Sequence, residues 1–132
     1  MDSDFLGIAS VAFISYNILD GTDLVMIIGS FGATAVLIYG AIKSPLAQPR
    51  NLIGGHIISA IIGVAIYKVF HNYMWVGTSV AVATAIAVMH ATKTLHPPGG
   101  ASALIAVIGS EKIHSLGYFM QLCPPALAQL LC

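Results

Sequence analysis

Three basic side chains are the residues of this sequence that could act on a small polar solute. Arg50, His56 and His96 stand beside or within long apolar segments. Arginine and histidine attract anions, and histidine also binds or releases a proton near neutral pH. We therefore predict that the three side chains form a cluster that attracts an anion. The alternative for His56 is that it only caps a helix or forms a hydrogen bond near a helix start. The alternative for Arg50 is that it only sets the membrane topology and contacts lipid headgroups.

The spacing of the histidines and cysteines does not match a metal site or a catalytic site. His90 lies six residues before His96, which does not place both on one helical face, and no HExxH motif is present. There is also no P-loop, GxSxG or CxxC, and eight residues separate Cys123 from Cys132. We predict no metal, no cofactor and no enzymatic activity, while proton coupling through His56, His90 or His96 stays open.

The rest of the sequence has the composition of a membrane protein. Of the 132 residues, 58% are hydrophobic and 8% are charged, and the mean hydropathy is +0.91. Segments 24–42, 51–67 and 76–92 have lengths that suit a hydrocarbon core about 30 Å thick. Segment 5–19 is shorter, and we predict a retained first helix because acidic residues stand where a signal peptide is basic.

The ends and the loops complete the predicted topology of a single unit over residues 1–132. Segment 116–132 is apolar but contains Pro124 and Pro125, which predicts a truncated or atypical last helix. Loop 43–50, KSPLAQPR, is basic and is predicted to be cytoplasmic and rigid, whereas DGTD at 20–23 is predicted to lie outside. Tyr73 and Trp75 suit an aromatic belt at the outer boundary, and His71 and His114 are predicted to face solvent.

Small residues recur at every fourth position on two of the predicted helices. They are Gly55, Ser59 and Gly63 on one helix, and Ala83, Ala87 and Ala91 on the other. Such stripes let helix backbones approach closely in lipid, so both are predicted to be packing faces of the bundle. The alternative is a groove that is lined by substrate-binding residues.

Two segments of the sequence are similar to each other. GATAVLIYG begins at Gly32 and GASALIAVIG begins at Gly100, and a lysine follows each segment. The similarity predicts an inverted repeat with discontinuous helices, as in many transporters, although this apolar composition also produces such matches by chance. Each segment is a place where a helix is predicted to restart, exposing N–H groups and a positive dipole end that an anion would satisfy.

The stretch TLHPPGGAS carries the clearer of the two predicted restarts. Pro97 and Pro98 end the preceding helix near Leu95, because proline lacks an N–H and disfavours helix in the residue before it. Two glycines follow and permit close backbone approach, and Ser102 offers a hydroxyl near the new helix start. The simpler interpretation is an ordinary cytoplasmic turn, and the sequence leaves both open.

Together these patterns define the candidate substrate-binding residues. They are Ser30, Gly32, Thr34, Arg50, Asn51, His56, His96, Gly99, Gly100 and Ser102.

Three blocks of the sequence, in this order, resemble the HPP family of small integral membrane proteins. The blocks are GSFGATAVLIYG, SPLAQPRNLIGGHIISAIIGV and HPPGGA, and they cover about residues 29–109. The resemblance implies a bundle of four to five transmembrane helices, with members in bacteria and in the plastid envelope. Plastid relatives are linked to nitrite transport. Of the two locations we expect the bacterial inner membrane.

The sequence therefore predicts an all-α, multi-pass membrane bundle that transports or conducts a small solute, most plausibly a small inorganic anion such as nitrite. The nitrite assignment follows from the resemblance alone. The alternative is a membrane anchor or regulatory module that transports nothing. Expected partners are the lipid bilayer, a small anionic solute and further copies of the chain, with no nucleic acid.

Overall fold

The structure is a computed structural model that describes residues 2–18 and 29–118, and these residues form helices and turns with no strand among them. The predicted all-α fold is confirmed. The helices are α1 (Asp2–Ile18), α2 (Gly29–Gly40), α3 (Pro49–Phe70), α4 (Met74–Ala91), α5 (Pro97–Ile108) and α6 (Glu111–Leu116). The predicted outer loop at 20–23, both cysteines and the predicted last helix beyond residue 118 lie outside the described residues.

Two of the described helices are long and apolar enough to cross a membrane. α3 has 22 residues and α4 has 18, with mean hydropathies of 1.8 and 1.5. At 1.5 Å per residue they are about 33 Å and 27 Å long. They confirm the predictions for segments 51–67 and 76–92. α1 confirms a helix at the N-terminus, and the described part of segment 24–42 is the shorter helix α2.

The core of the bundle is formed by α3, α4 and α5, each of which packs against the other two. Small residues dominate the contacts, so the helices come close together. One buried cluster contains Ala60, Val64, Ile105, Ala106 and Ile113, and Phe31 of α2 packs against it. A second contains Ala81, Ala85, Met89, Ala103 and Val107.

α5 begins inside the bundle rather than at its end. Gly99 lies against Gly55, and Gly63, further along α3, lies against Ala103 and Ala106, so α5 and α3 run parallel. Gly55 is six residues into α3, which places the start of α5 about 9 Å along the α3 axis. α4 therefore ends at Ala91, and the chain turns back into the bundle, where α5 begins at Pro97.

The restart predicted after GSF is wrong within the described residues. Residues 29–35 are α-helical without a break, and the irregular part of α2 is instead the π-helical turn Val36–Gly40 at its end. Residues 24–28, just before α2, lie outside the described residues. Ser30 contacts Pro98 within α5 and Thr34 contacts His96 just before α5, so α2 runs antiparallel to α5, as an inverted pair requires.

Of the two small-residue stripes, the structure confirms one as a packing face. Gly55, Ser59 and Gly63 are buried. The stripe Ala83, Ala87 and Ala91 is exposed, so the prediction that it packs the bundle is wrong. α4 packs through Gly77, Ala81 and Ala85, which have the same spacing on another face. Small residues occur on both faces of α4, and spacing alone does not distinguish them.

The end of the bundle at the α3–α4 turn carries the aromatic residues. Tyr73 and Trp75 are exposed there, as an aromatic belt requires. His71 is exposed as predicted. The same prediction for His114 is wrong, because this residue is half-buried and its ring stacks on Tyr67 with the centroids 3.6 Å apart. Its Nε2 lies 3.2 Å from the carbonyl oxygen of Val107.

Candidate functional site: a buried histidine pair

Seven polar side chains on α2, α3, α5 and the turn before α5 are buried. They are Ser30, Thr34, His56, Ser59, Thr94, His96 and Ser102, with exposed fractions between 0% and 7%. Burying such groups in an apolar interior is unfavourable unless they form hydrogen bonds. The hydrogen bonds of this group therefore define what the site can do.

Thr34 of α2 joins the two histidines. Its Oγ1 lies 3.2 Å from Nε2 of His56 and 3.3 Å from Nε2 of His96. The two imidazole rings are 5.0 Å apart between centroids and meet edge to face, at an interplanar angle of 64°. One hydroxyl group thus bridges two titratable rings that come from distant parts of the sequence.

The other ring nitrogens of the histidines also have partners. Nδ1 of His56 lies 2.8 Å from the Ser102 hydroxyl, and Nδ1 of His96 lies 2.8 Å from the Leu46 carbonyl oxygen. Ser30 donates to the carbonyl of Pro98 at 3.0 Å and ties α2 to the start of α5. The four ring nitrogens are therefore all within hydrogen-bonding distance of a partner.

Two glycines allow the histidines to approach each other. A Cβ on Gly55 would lie 2.6 Å from Cβ of His96, and a Cβ on Gly99 would lie 2.9 Å from the Gly55 carbonyl oxygen. Both distances are shorter than real Cβ contacts. The absence of side chains here lets the start of α5 pack directly on the α3 backbone, which brings His96 beside His56.

The start of α5 does not expose the N–H groups that the sequence predicted. Its first two residues, Pro97 and Pro98, have no N–H, and the next, Gly99, donates to the carbonyl of His96 at 2.8 Å. A helix start of this kind can be buried without an anion to satisfy its amides. Any anion at this site would have to be held by side chains and by the helix dipole.

Loop 41–48 positions the Leu46 carbonyl. Pro45–Ala47 forms a 3₁₀ turn, and the Ser44 hydroxyl accepts a hydrogen bond from the Leu46 N–H at 3.2 Å. The Gln48 side chain donates to the Ser44 carbonyl at 3.2 Å. The loop thus has a defined backbone, in agreement with the prediction from its prolines.

Arg50 does not join the histidine pair, so the predicted cluster of three basic side chains is wrong. It is exposed, and its Nη2 donates to the Thr92 carbonyl at 3.0 Å. Arg50 lies six positions before His56, which corresponds to a rotation of about 240° around the helix. The two side chains therefore leave α3 on different faces. Asn51 likewise donates to the Leu95 carbonyl, at 2.8 Å. Both hold the turn before α5.

We expect Asn51→Asp to destabilise the protein. The substituted carboxylate would face the Leu95 carbonyl with two acceptors and no donor, which loses the hydrogen bond and adds repulsion worth about 1–3 kcal/mol. The fraction of protein that stays monodisperse in mild detergent after heating measures this. Gln48→Glu is the control, because Gln48 is exposed and its bonds lie within its own loop; equal losses from both variants would contradict the prediction.

The ten candidate residues therefore divide into two groups. Six come together at the site: Ser30, Thr34, His56, His96, Gly99 and Ser102. Arg50 and Asn51 hold the turn, Gly32 is exposed, and Gly100 is half-buried with Val82 4.0 Å from where its Cβ would be. The Leu46 carbonyl was not predicted, because a backbone group carries no residue-type signal. Ser59 belongs to the stripe predicted as a packing face, with a substrate groove as the alternative, and it donates to the Met89 sulfur at 3.6 Å.

The residues at the site contain nitrogen and hydroxyl groups but no carboxylate or thiol. Across residues 2–18 and 29–118, no three His, Cys, Asp or Glu side chains are grouped so that they could hold a metal ion. What the site offers is two buried imidazoles and the buried hydroxyls of Ser30, Thr34 and Ser102. Such groups can donate hydrogen bonds to a small anion, and the imidazoles can bind a proton.

The all-helical bundle, with two helices long and apolar enough to cross a membrane, is consistent with a helical membrane protein. The chain belongs to the HPP family, because the family model for the HPP transmembrane region matches residues 3–132. This confirms the resemblance seen in the three sequence blocks.

Two transmembrane proteins of Dictyostelium discoideum are similar to this chain. One is 48% identical over 113 residues, which cover 83% of this chain and 36% of the relative. The other is 45% identical over 121 residues, which cover 89% of this chain and 42% of the relative. The chain thus spans about two fifths or less of these relatives. No solved structure matches the chain. The membrane location is shown, and the bacterial inner membrane stays a prediction.

Proposed function

We propose that this membrane domain transports or conducts a small solute, and that a small inorganic anion such as nitrite is the first candidate. The observation that carries the proposal is the start of α5 inside the bundle, next to buried hydroxyls and imidazoles from α2, α3 and α5. A helix that starts within the bundle can place polar groups there, as the discontinuous helices of membrane transporters do.

A purely structural role explains the buried histidines less well. Ionisable side chains inside a membrane bundle are costly to bury, and they usually mark pathways for solutes or protons. His56 is 2% exposed and His96 is 0% exposed, and neither has a carboxylate as its partner. Apolar residues would pack the same three helices without this cost, so the polar group supports movement of a solute rather than anchoring.

Charge at one end of the bundle supports an anionic solute. Arg50 and Lys93 are exposed beside the turn that leads to His96, and Lys43 is exposed in loop 41–48. A surface with several positive charges raises the local concentration of anions. The choice of nitrite rests on the family resemblance, and the residues of the site support only the broader class. Transport without chemical conversion is part of the proposal, as is assembly of several copies.

Nitrite uptake into liposomes that contain the purified 132-residue chain tests the proposal. We expect uptake above that of empty liposomes, and a decrease of about tenfold in His56→Gln, since the loss of one buried hydrogen bond to a solute is worth about 1.4 kcal/mol. His90→Gln is the matched control, because His90 is exposed on α4 and should leave uptake unchanged.

The opposite result would favour the alternative function. If well-folded wild-type protein gives no more uptake than empty liposomes for nitrite and for other small anions, the transport proposal fails. A membrane anchor or regulatory module would then be the better interpretation, and it should co-purify with a partner protein. Equal nitrite uptake by the wild type and His56→Gln would show that the histidine pair does not take part in transport.

A further inference from the structure

The hydrogen-bond partners of the two histidines determine which nitrogen carries the proton in each ring. A carbonyl oxygen can only accept, so Nδ1 of His96 must donate to Leu46. A neutral imidazole has one N–H, and Nε2 of a neutral His96 is therefore an acceptor. The Thr34 hydroxyl, 3.3 Å away, must then donate to it.

The same reasoning continues through Thr34 to His56. With its single proton directed at His96, the Thr34 oxygen can only accept, so Nε2 of His56 must carry a proton and donate to it. Nδ1 of a neutral His56 is then an acceptor, and the Ser102 hydroxyl donates to it at 2.8 Å. With both rings neutral, only one arrangement gives every ring nitrogen a partner: Nδ1–H in His96 and Nε2–H in His56. In this arrangement the Thr34 hydroxyl donates to His96 and does not donate to the Ser30 carbonyl, which lies 3.1 Å away.

The site also has room for one additional proton without moving any heavy atom. If Nε2 of His96 becomes protonated, it donates to the Thr34 oxygen, and the Thr34 hydroxyl needs a new acceptor. The Ser30 carbonyl oxygen lies 3.1 Å from Thr34 Oγ1 and can serve as that acceptor. The Thr34 oxygen then accepts from both rings through its two lone pairs, and every group remains bonded.

A second proton is disfavoured by the first. The rings are 5.0 Å apart in a buried space, and the described partners include no carboxylate that would offset two positive charges. The geometry therefore suits a single proton that is shared by the pair.

The other titratable groups of the described residues near the histidine pair are not hydrogen-bond partners of either ring. Those on the surrounding helices and loops are Tyr39, Lys43, Arg50, Tyr67, Lys68, His90, Lys93, Glu111, Lys112 and His114. Arg50, His90 and Lys93 are exposed, and Tyr67 stacks on His114 near α6. α5 and Pro45–Ala47 contain none.

We propose that His56, His96 and Thr34 form a proton-binding site of one-proton capacity, in which the Thr34 hydroxyl turns from His96 to the Ser30 carbonyl when the proton binds. The site extends the proposed function by naming a proton as the coupling ion, and that part rests on the transport proposal. The binding site itself stands on the histidine pair alone.

Nitrogen NMR of the full chain with ¹⁵N-labelled histidine, in detergent or bilayers, tests the site. His56→Gln and His96→Gln assign the two signals. At neutral pH we expect the Nδ1–H tautomer in His96 and the Nε2–H tautomer in His56. As the pH is lowered over the range in which the protein stays folded, one of the two rings should gain a proton while the other stays neutral.

Thr34→Val removes the bridging hydroxyl at nearly constant shape. We expect His96 to keep its Nδ1–H tautomer, held by Leu46, while His56 loses its single tautomer and gives a mixture. Thr34→Ser keeps a hydroxyl and should restore the wild-type spectrum. A His56 tautomer that is unchanged in a folded Thr34→Val protein would overturn the bridging role.

Three results for the wild-type protein would overturn the proton site: an Nε2–H tautomer in neutral His96, protonation of both rings together while the protein stays folded, or protonation of neither ring over that range. These results are separate from nitrite uptake. If the protein shows the expected tautomers and binds a proton but takes up no small anion, the proton-binding site is supported and the anion-transport proposal is contradicted.

Discussion

Gly63→Ala is expected to destabilise the bundle. A Cβ on Gly63 would lie 2.6 Å from Cβ of Ala106 and 2.7 Å from the carbonyl oxygen of Ala103. One of these atoms belongs to the backbone of α5 and the other is a Cβ fixed to it, so neither can turn aside as the end of a long side chain can. α5 would have to move away from α3, and overpacking of this kind typically costs about 1–3 kcal/mol.

Gly32→Ala is the matched control for this prediction. Gly32 also lies within a helix, but no atom outside its own helix turn is within 4 Å of where its Cβ would be. Alanine is the better helix former, so this variant should be neutral or slightly stabilising in the same measurement. The monodisperse fraction after heating in mild detergent should fall for Gly63→Ala only. Equal stability of the two variants would show that α5 does not pack on α3 in this way.

The effect of Gly63→Ala should also reach the histidine pair. α5 carries Ser102 and follows directly from His96, so displacing α5 from α3 lengthens the contacts of both with His56. We expect His56 in this variant to lose its single tautomer, as in Thr34→Val. An intact tautomer in a destabilised protein would mean that the start of α5 stays in place while the rest of it moves.

Ala81→Leu is expected to be strongly destabilising, whereas Ala83→Leu is expected to be tolerated. Ala81 is 0% exposed and lies in the cluster with Ala85, Ala103 and Val107, where three further carbons have no space. Forcing them in should cost about 1–3 kcal/mol or more. Ala83 is exposed on the same helix, and leucine there adds only apolar surface.

The two α4 variants control for each other. Both make the same substitution, two residues apart in one helix, so helix propensity and hydrophobicity cancel in the comparison. The thermal stability of each protein in detergent measures the difference. If Ala83→Leu is the more harmful of the two, then the predicted packing stripe of Ala83, Ala87 and Ala91 is used after all, for example between copies of the chain. In that case Ala83→Leu should also change the oligomeric state on size-exclusion chromatography.

The Gly63→Ala and Ala81→Leu predictions test the same property of the bundle, which is close contact between helices at glycine and alanine residues. In lipid, little hydrophobic force drives helices together, so association depends on close packing and on hydrogen bonds between helices. Gly55, Gly63 and Gly99 supply the close packing of α3 and α5. The Thr34 hydroxyl supplies hydrogen bonds from α2.

Several features of the protein follow from the sequence by itself. Long apolar segments with few charges predict membrane helices, because a helix satisfies its own backbone hydrogen bonds where no water is present. This determined α3 and α4 to within a few residues, and Pro97 and Pro98 determined the start of α5. α4 ends at Ala91, four residues before the end that the prolines predicted near Leu95. The resemblance of three blocks indicated the HPP family.

Only the tertiary structure decided which residues form the site. Arg50 and His56 are six residues apart but point in different directions, whereas His56 and His96 are 40 residues apart and meet. Thr34 and the Leu46 carbonyl complete the hydrogen bonds. The packing face of α4 was decided in the same way, because small residues line more than one of its faces. Sequence periodicity reports the angle of a side chain around its own helix, and the identity of its neighbour depends on how separate helices are placed.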